Sequence, residues 1–147
     1  MQNREQIRAR NALRHKDTSV SGNKGGEVVK KIPPRIINHG FLAVCALALE
    51  NKKVRPGEQP RDANPGQKQI FGFIAKHLAD ADIHILPDDI KMRINAAGAN
   101  PAAVLLEHLV SVRSNSDQLK QVTSETMAWL NYARRFIKTG TEEEGGE

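Results

Sequence analysis

Residues 124–138 read SETMAWLNYARRFIK. On a helical wheel Trp129, Leu130, Tyr132, Ala133, Phe136 and Ile137 share one broad arc. Asn131, Arg134, Arg135 and Lys138 share a compact arc opposite. One apolar and one basic face at 3.6-residue spacing predict an amphipathic helix against a core, from about Ser124 to Lys138, with Gly140 as its stop. Working back from it, Ser114–Ser116 reads as a break and Asp117–Gln121 as a short helical turn. Asn100-Pro101 is a helix start, with Val104, Leu105, Leu109 and Val112 as the core face. Asp88 and Asp89 favour the first turn of another helix, ending near Gly98. From Gln67 to about Asp82, Ile70, Phe73, Ile74 and Leu78 recur at core spacing.

The N-terminal half repeats this theme. Phe41–Leu49 is apolar on all sides, which predicts a helix at the centre of the core with Cys45 as a small buried hydrophobe. Val28, Val29, Ile32 and Ile36 fall on one helical face, and Lys31, Arg35 and Asn38 on the other. Pro33-Pro34 predicts either a kink there or a junction between two helices. A first helix is expected over about Asn3–Lys16, opened by a capping box from Asn3 to Gln6, with Ile7, Ala9, Ala12 and Leu13 available to a core. Residues 17–26 read as a flexible linker and 50–66, with three prolines, as a long exposed loop. There are no strand pairs in this reading. The expected fold is all-α: one compact single-domain helical bundle of six or seven helices over residues 1–140, with flexible loops near 17–26 and 51–66 and a disordered acidic tail at 141–147.

Charge narrows the function. Of 147 residues, 22 are Lys or Arg and 17 Asp or Glu, a net of +5. Residues 1–61 hold 13 basic and 5 acidic side chains, so the excess belongs to that half. Such asymmetry points to a polyanion, usually nucleic acid. Scarce aromatics argue against base-stacking platforms. The single Cys45 excludes an intramolecular disulfide and a Cys-based zinc site. No secretory signal is read at the N-terminus, and the longest uncharged stretch, 36–49, is too short to span a membrane, so a soluble cytoplasmic protein is expected. Nucleophile-elbow, zinc-protease and complete phosphate-loop motifs are missing, so no enzyme, cofactor or metal site is expected. His77, Asp80 and His84 read as ordinary surface residues, and His39 and His108 have no ligand partner nearby in sequence.

Four stretches carry a resemblance: NREQIRARNAL at the N-terminus, VVKKIPPRIINHGFLAVCALALE, IFGFIAKHLAD, and the closing SETMAWLNYARRFIKTG. In this order, over about half the chain, they resemble the small subunit of type III-B CRISPR–Cas effector complexes, the Cmr complexes. The glycine-rich stretch 21–26, the loop 55–66 and the acidic tail look like local additions. The resemblance implies a non-catalytic helical bundle, stacked head to tail in several copies beside other Cmr subunits, contacting guide and target RNA through basic side chains. The residues expected at RNA phosphates are Lys30, Lys31, Arg35, Arg134, Arg135 and Lys138, then Arg8, Arg10 and Arg14. The rivals are a protein–protein adaptor without RNA and, behind it, a DNA-binding regulator, for which base-reading residues at a helix N-terminus are not seen.

Overall fold

The computed structural model describes residues 2–18, 20 and 25–137. Among them the chain forms seven helices: α1 (Arg4–Leu13), α2 (Gly25–His39), α3 (Phe41–Ala48), α4 (Pro65–Leu78), α5 (Asp88–Asn95), α6 (Pro101–Val110) and α7 (Ser116–Phe136). Position 19, the linker residues 21–24, Lys138, Gly140 and the tail 141–147 lie outside the described residues.

Local chemistry sets the boundaries. Asn3 and Gln6 make the reciprocal capping box at the start of α1. α2 begins at Gly25, inside the expected linker, where Val20 is also buried. It runs unbroken through Pro33 and Pro34. Val29, Ile32 and Ile36 are buried on both sides of the prolines, and this anchoring outweighs the two lost hydrogen bonds. Gly40, at φ +88°, makes the sharp turn into α3 that other residues would adopt only with strain.

α3 corrects the expectation of a central helix. Phe41, Val44, Cys45 and Ala48 are buried, but Ala43, Ala46 and Leu47 face outward, because α2, α4 and α6 cover one side only. The loop that follows also differs from its reading. Asn51 pairs with Asp62 and Lys52 with Arg61 in a two-stranded antiparallel ladder, β1 (Asn51–Lys52) with β2 (Arg61–Asp62). The ladder lacks apolar alternation, so periodicity gives no sign of it. It is extended by the Ala63 amide donating to the Glu50 carbonyl and by a Lys68–Asp62 ion pair at 3.0 Å.

α4 ends at Leu78 rather than Asp82, because an Asp80 carboxylate oxygen accepts from the Asp82 amide at 2.9 Å and draws it out of the helix. α6 ends at Val110, so Val112, expected in the core, is fully exposed. The largest correction is α7. The break expected at Ser114–Ser116 is present, but Asp117–Gln121 is not a separate turn; one 21-residue helix starts at the Asn115 cap, whose side chain accepts from the Gln118 amide. Thr123 stays helical by donating its hydroxyl to the Leu119 carbonyl, four residues back.

α4 is the hub, touching α2, α3, α5, α6 and α7. Its Ile70, Phe71, Ile74 and Leu78 are fully buried. Trp129, Leu130 and Ala133 of α7 are equally buried, with Tyr132 and Phe136 half-buried beside them, as the arc of 124–138 predicts. α1 lies along α7. None of the described helices is long and apolar enough to cross a membrane.

Candidate nucleic-acid interface

The expected basic residues divide into two groups. In α2, the buried stripe of Val29, Ile32 and Ile36 turns Lys30 and Lys31 fully outward and leaves Arg35 half-exposed. In α7, burial of Trp129, Leu130 and Ala133 turns Arg134 and Arg135 to the surface. The Arg135 Nε also donates to the Asn131 carbonyl at 3.2 Å, which steadies its stem. α2 packs against α7, so the two basic stretches ride on adjacent helices. Lys138 lies outside the described residues.

The α1 residues are placed differently. Arg8 is a bidentate partner of Glu125, donating from Nε and Nη2 at 2.8 Å each. Arg10 donates to Asp80 at 2.7 Å and also contacts Gln2 and Asn11. Arg14 alone of the three is exposed.

These pairs belong to a polar network that sequence reasoning missed. Glu125 is 2% exposed, and besides Arg8 it accepts from the His77 Nε2 at 2.9 Å, with Arg4 at 3.5 Å. His77 is also 2% exposed, which corrects its expected surface placement. The Asn11 amide donates one hydrogen to His77 Nδ1 at 2.9 Å and the other to Asp80 at 3.0 Å. The His77 ring therefore accepts at Nδ1 and donates at Nε2. Trp129 packs nearly parallel to it, at 5.9 Å between centroids.

The network fixes charge. Burial alone would push the Glu125 carboxyl up; hydrogen bonds from Arg8 and His77, and the Arg8 charge, outweigh it and bring it down to about 2. Burial likewise opposes ionisation of Asp80, but the Asp82 amide, Asn11 and Arg10 hold its carboxyl below the ordinary value. Three groups that could have looked like acid–base chemistry, His77, Asp80 and Glu125, are thus mutually satisfied. Cys45 is buried, and desolvation pushes its thiol up to about 12, far from a reactive thiolate. Among the described residues there is no cluster of His, Cys, Asp and Glu suited to a metal ion.

Arg4 and Arg8 also border a cleft of about 440 Å³ with His84 and Lys120, two further basic residues the sequence reading did not select. What the arrangement can do is bind anions on rigid helices: basic side chains sit outside a fully packed interior, and each is held by a helix whose opposite face is buried.

The sequence model of the CRISPR-associated protein family (Cas_Cmr5) matches residues 4–139. No curated protein and no solved structure matches the chain.

Proposed function

The chain belongs to the Cas_Cmr5 family of CRISPR-associated proteins, the small subunit of type III-B Cmr complexes, and from that premise we propose that it is a non-catalytic RNA-contacting subunit that stacks in several copies. The observation that carries the RNA contact is the outward placement of Lys30, Lys31 and, in part, Arg35 on α2 and of Arg134 and Arg135 on α7, two helices that pack together.

A subunit that accepts any target must contact phosphates, which carry no sequence information, rather than base edges. Lys31 and Arg35 lie one helical turn apart, about 6 Å along the axis. Their backbone is fixed by the buried Ile32 and Ile36, so little order is lost on contact. Modest affinity per copy suffices when several copies bind one strand together. Exposed Met92, Val110 and Val112 supply apolar surface for protein contacts, with other Cmr subunits or with a further copy. They are also the feature that favours the second reading, an adaptor without RNA.

Salt dependence separates the two. If four phosphates on single-stranded RNA are neutralised, log affinity falls with log salt at a slope of about −3. Replacing Lys31, Arg35, Arg134 and Arg135 with Gln together is expected to flatten that slope and leave the thermal melt unchanged. Unaltered RNA affinity in the fourfold variant at low salt removes these residues from the interface. A salt-insensitive complex with protein alone establishes the adaptor.

A further inference from the structure

Away from the α2–α7 face, a cavity of about 730 Å³ opens between α1, α4 and the turn joining α5 to α6. That is the size range of small-ligand sites. Its lining is unlike the rest of the surface. Arg14, Lys68 and Lys76 face it, with Asp62 as the one acidic lining residue. The Arg14 guanidinium makes no hydrogen bond or ion pair among the described residues, so its five donors are open. Lys68 gives one donor to Asp62, and Lys76 one to the Asn95 carbonyl at 3.3 Å. Each ammonium keeps two more. Three cations against one carboxylate leave two positive charges, which complements a phosphate monoester of charge near −2 at neutral pH.

The same wall carries flat apolar surface. His15 and Phe73 stack with centroids 3.7 Å apart and planes at 11°, and both line the cavity. Burial, with the adjacent Arg14 charge, lowers the His15 pKa and favours a neutral ring. Gly72, four residues before Lys76, also lines the cavity; it sits inside α4, where glycine weakens a helix. Packing does not demand it: a Cβ there would meet only the Pro101 Cγ, at an ordinary 3.6 Å. Its effect is to leave the cavity floor open.

We propose that this cavity binds a single nucleotide unit, its phosphate on Arg14, Lys68 and Lys76 and its base against the His15–Phe73 pair. The site is separate from the phosphate contacts of α2 and α7. A free mononucleotide and one nucleotide of a strand present the same chemistry, and a competition experiment tells them apart.

The test uses the full chain, isotopically labelled, titrated with adenosine 5′-monophosphate, adenosine and inorganic phosphate, and read by amide chemical shifts. The monophosphate is expected to move the amides around Arg14, Gly72 and Lys76 and to bind more tightly than either fragment. Arg14→Gln with Lys76→Gln should weaken it by at least about tenfold. His15→Ala should weaken the nucleotide but not inorganic phosphate. Gly72→Leu should block the cavity while the protein still melts cooperatively. A tetranucleotide that displaces the monophosphate identifies a strand as the source; one that does not identifies the free nucleotide, and both support the site. Three results overturn the proposal: no shift at these amides with millimolar monophosphate, equal affinity for monophosphate and inorganic phosphate, or stronger binding of the peptide Glu-Glu-Glu-Gly-Gly-Glu than of the nucleotide. Because Lys31, Arg35, Arg134 and Arg135 lie outside the cavity, the fourfold variant should bind the monophosphate normally whatever happens to its RNA affinity.

Discussion

Replacing Glu125 with Gln removes one charge and changes one oxygen to an amide while keeping the shape of the side chain. In the native network one carboxylate oxygen accepts from both Arg8 Nε and His77 Nε2, and the other from Arg8 Nη2. A Gln can place its oxygen at the first position, but its NH2 then faces the Nη2 donor. One charge-assisted hydrogen bond is lost and two donors oppose each other, at a cost of about 2–3 kcal/mol. Linkage gives a similar figure. Lowering the carboxyl from its ordinary 4.5 to about 2 contributes about 3 kcal/mol at neutral pH. For a chain of this length that corresponds to a fall in Tm of roughly 6–12 °C. The pH dependence follows from the direction of the shift. A carboxyl depressed in the folded state contributes fully above 4.5, and the contribution is lost as pH falls from there through about 2. Melting curves of wild type and Glu125→Gln by circular dichroism should therefore differ most at pH 7 and converge toward pH 2. Equal Tm at pH 7, or a gap that does not narrow with acid, refutes the reasoning.

Other outcomes follow from single sites. Cys45 should resist alkylation in the native protein at pH 8 and react only on unfolding, since its thiol is buried and pushed up to about 12; native-state labelling at the rate of a free thiol would contradict this. Gly72→Ala should stabilise the fold by about 0.5–1 kcal/mol, because it relieves a glycine inside α4 without a clash; a lower denaturation midpoint would show that the site is tighter than its 3.6 Å contact indicates. Asp89→Asn should leave Tm unchanged at moderate salt, although Asp89 receives two hydrogen bonds from Arg113, because both side chains are solvent-exposed; a clear loss would mean that this pair anchors α5.

Periodicity made most of the helices legible before any coordinates. The arc of Trp129, Leu130 and Ala133 is buried as its spacing indicates, and so is the stripe of Val29, Ile32 and Ile36. Where the reading went astray, a local signal competed with a long-range one. Asp117–Gln121 reads as a turn separate from the helix at Ser124, yet the Thr123 hydroxyl satisfies its own helix and the two are continuous. Pro33 and Pro34 left a kinked helix and a junction of two helices both open, and packing on both sides holds α2 together as one helix. The network was hidden for another reason. His77, Glu125 and Asn11 are polar residues whose burial depends on partners 48 and 66 positions away, and no window of sequence contains them together. The basic residues of α2 and α7 could be picked out because each lies opposite an apolar stripe. The cavity could not, because Arg14 follows α1 while Lys68 and Lys76 lie on α4, and only the folded chain brings them to one cavity.

The pairing of α1 with α7 also governs how the chain comes into being. Arg8 and Glu125 stand 117 positions apart, so α1 waits for α7 before it can dock. At about 5–20 residues per second, synthesis keeps them apart for about 6–23 seconds. Throughout that interval Ile7 and Ala12 have no α7 to cover them, and Arg8 lacks its carboxylate. Docking of α1 is therefore tied to the emergence of α7 from the ribosome, however early α1 itself becomes helical.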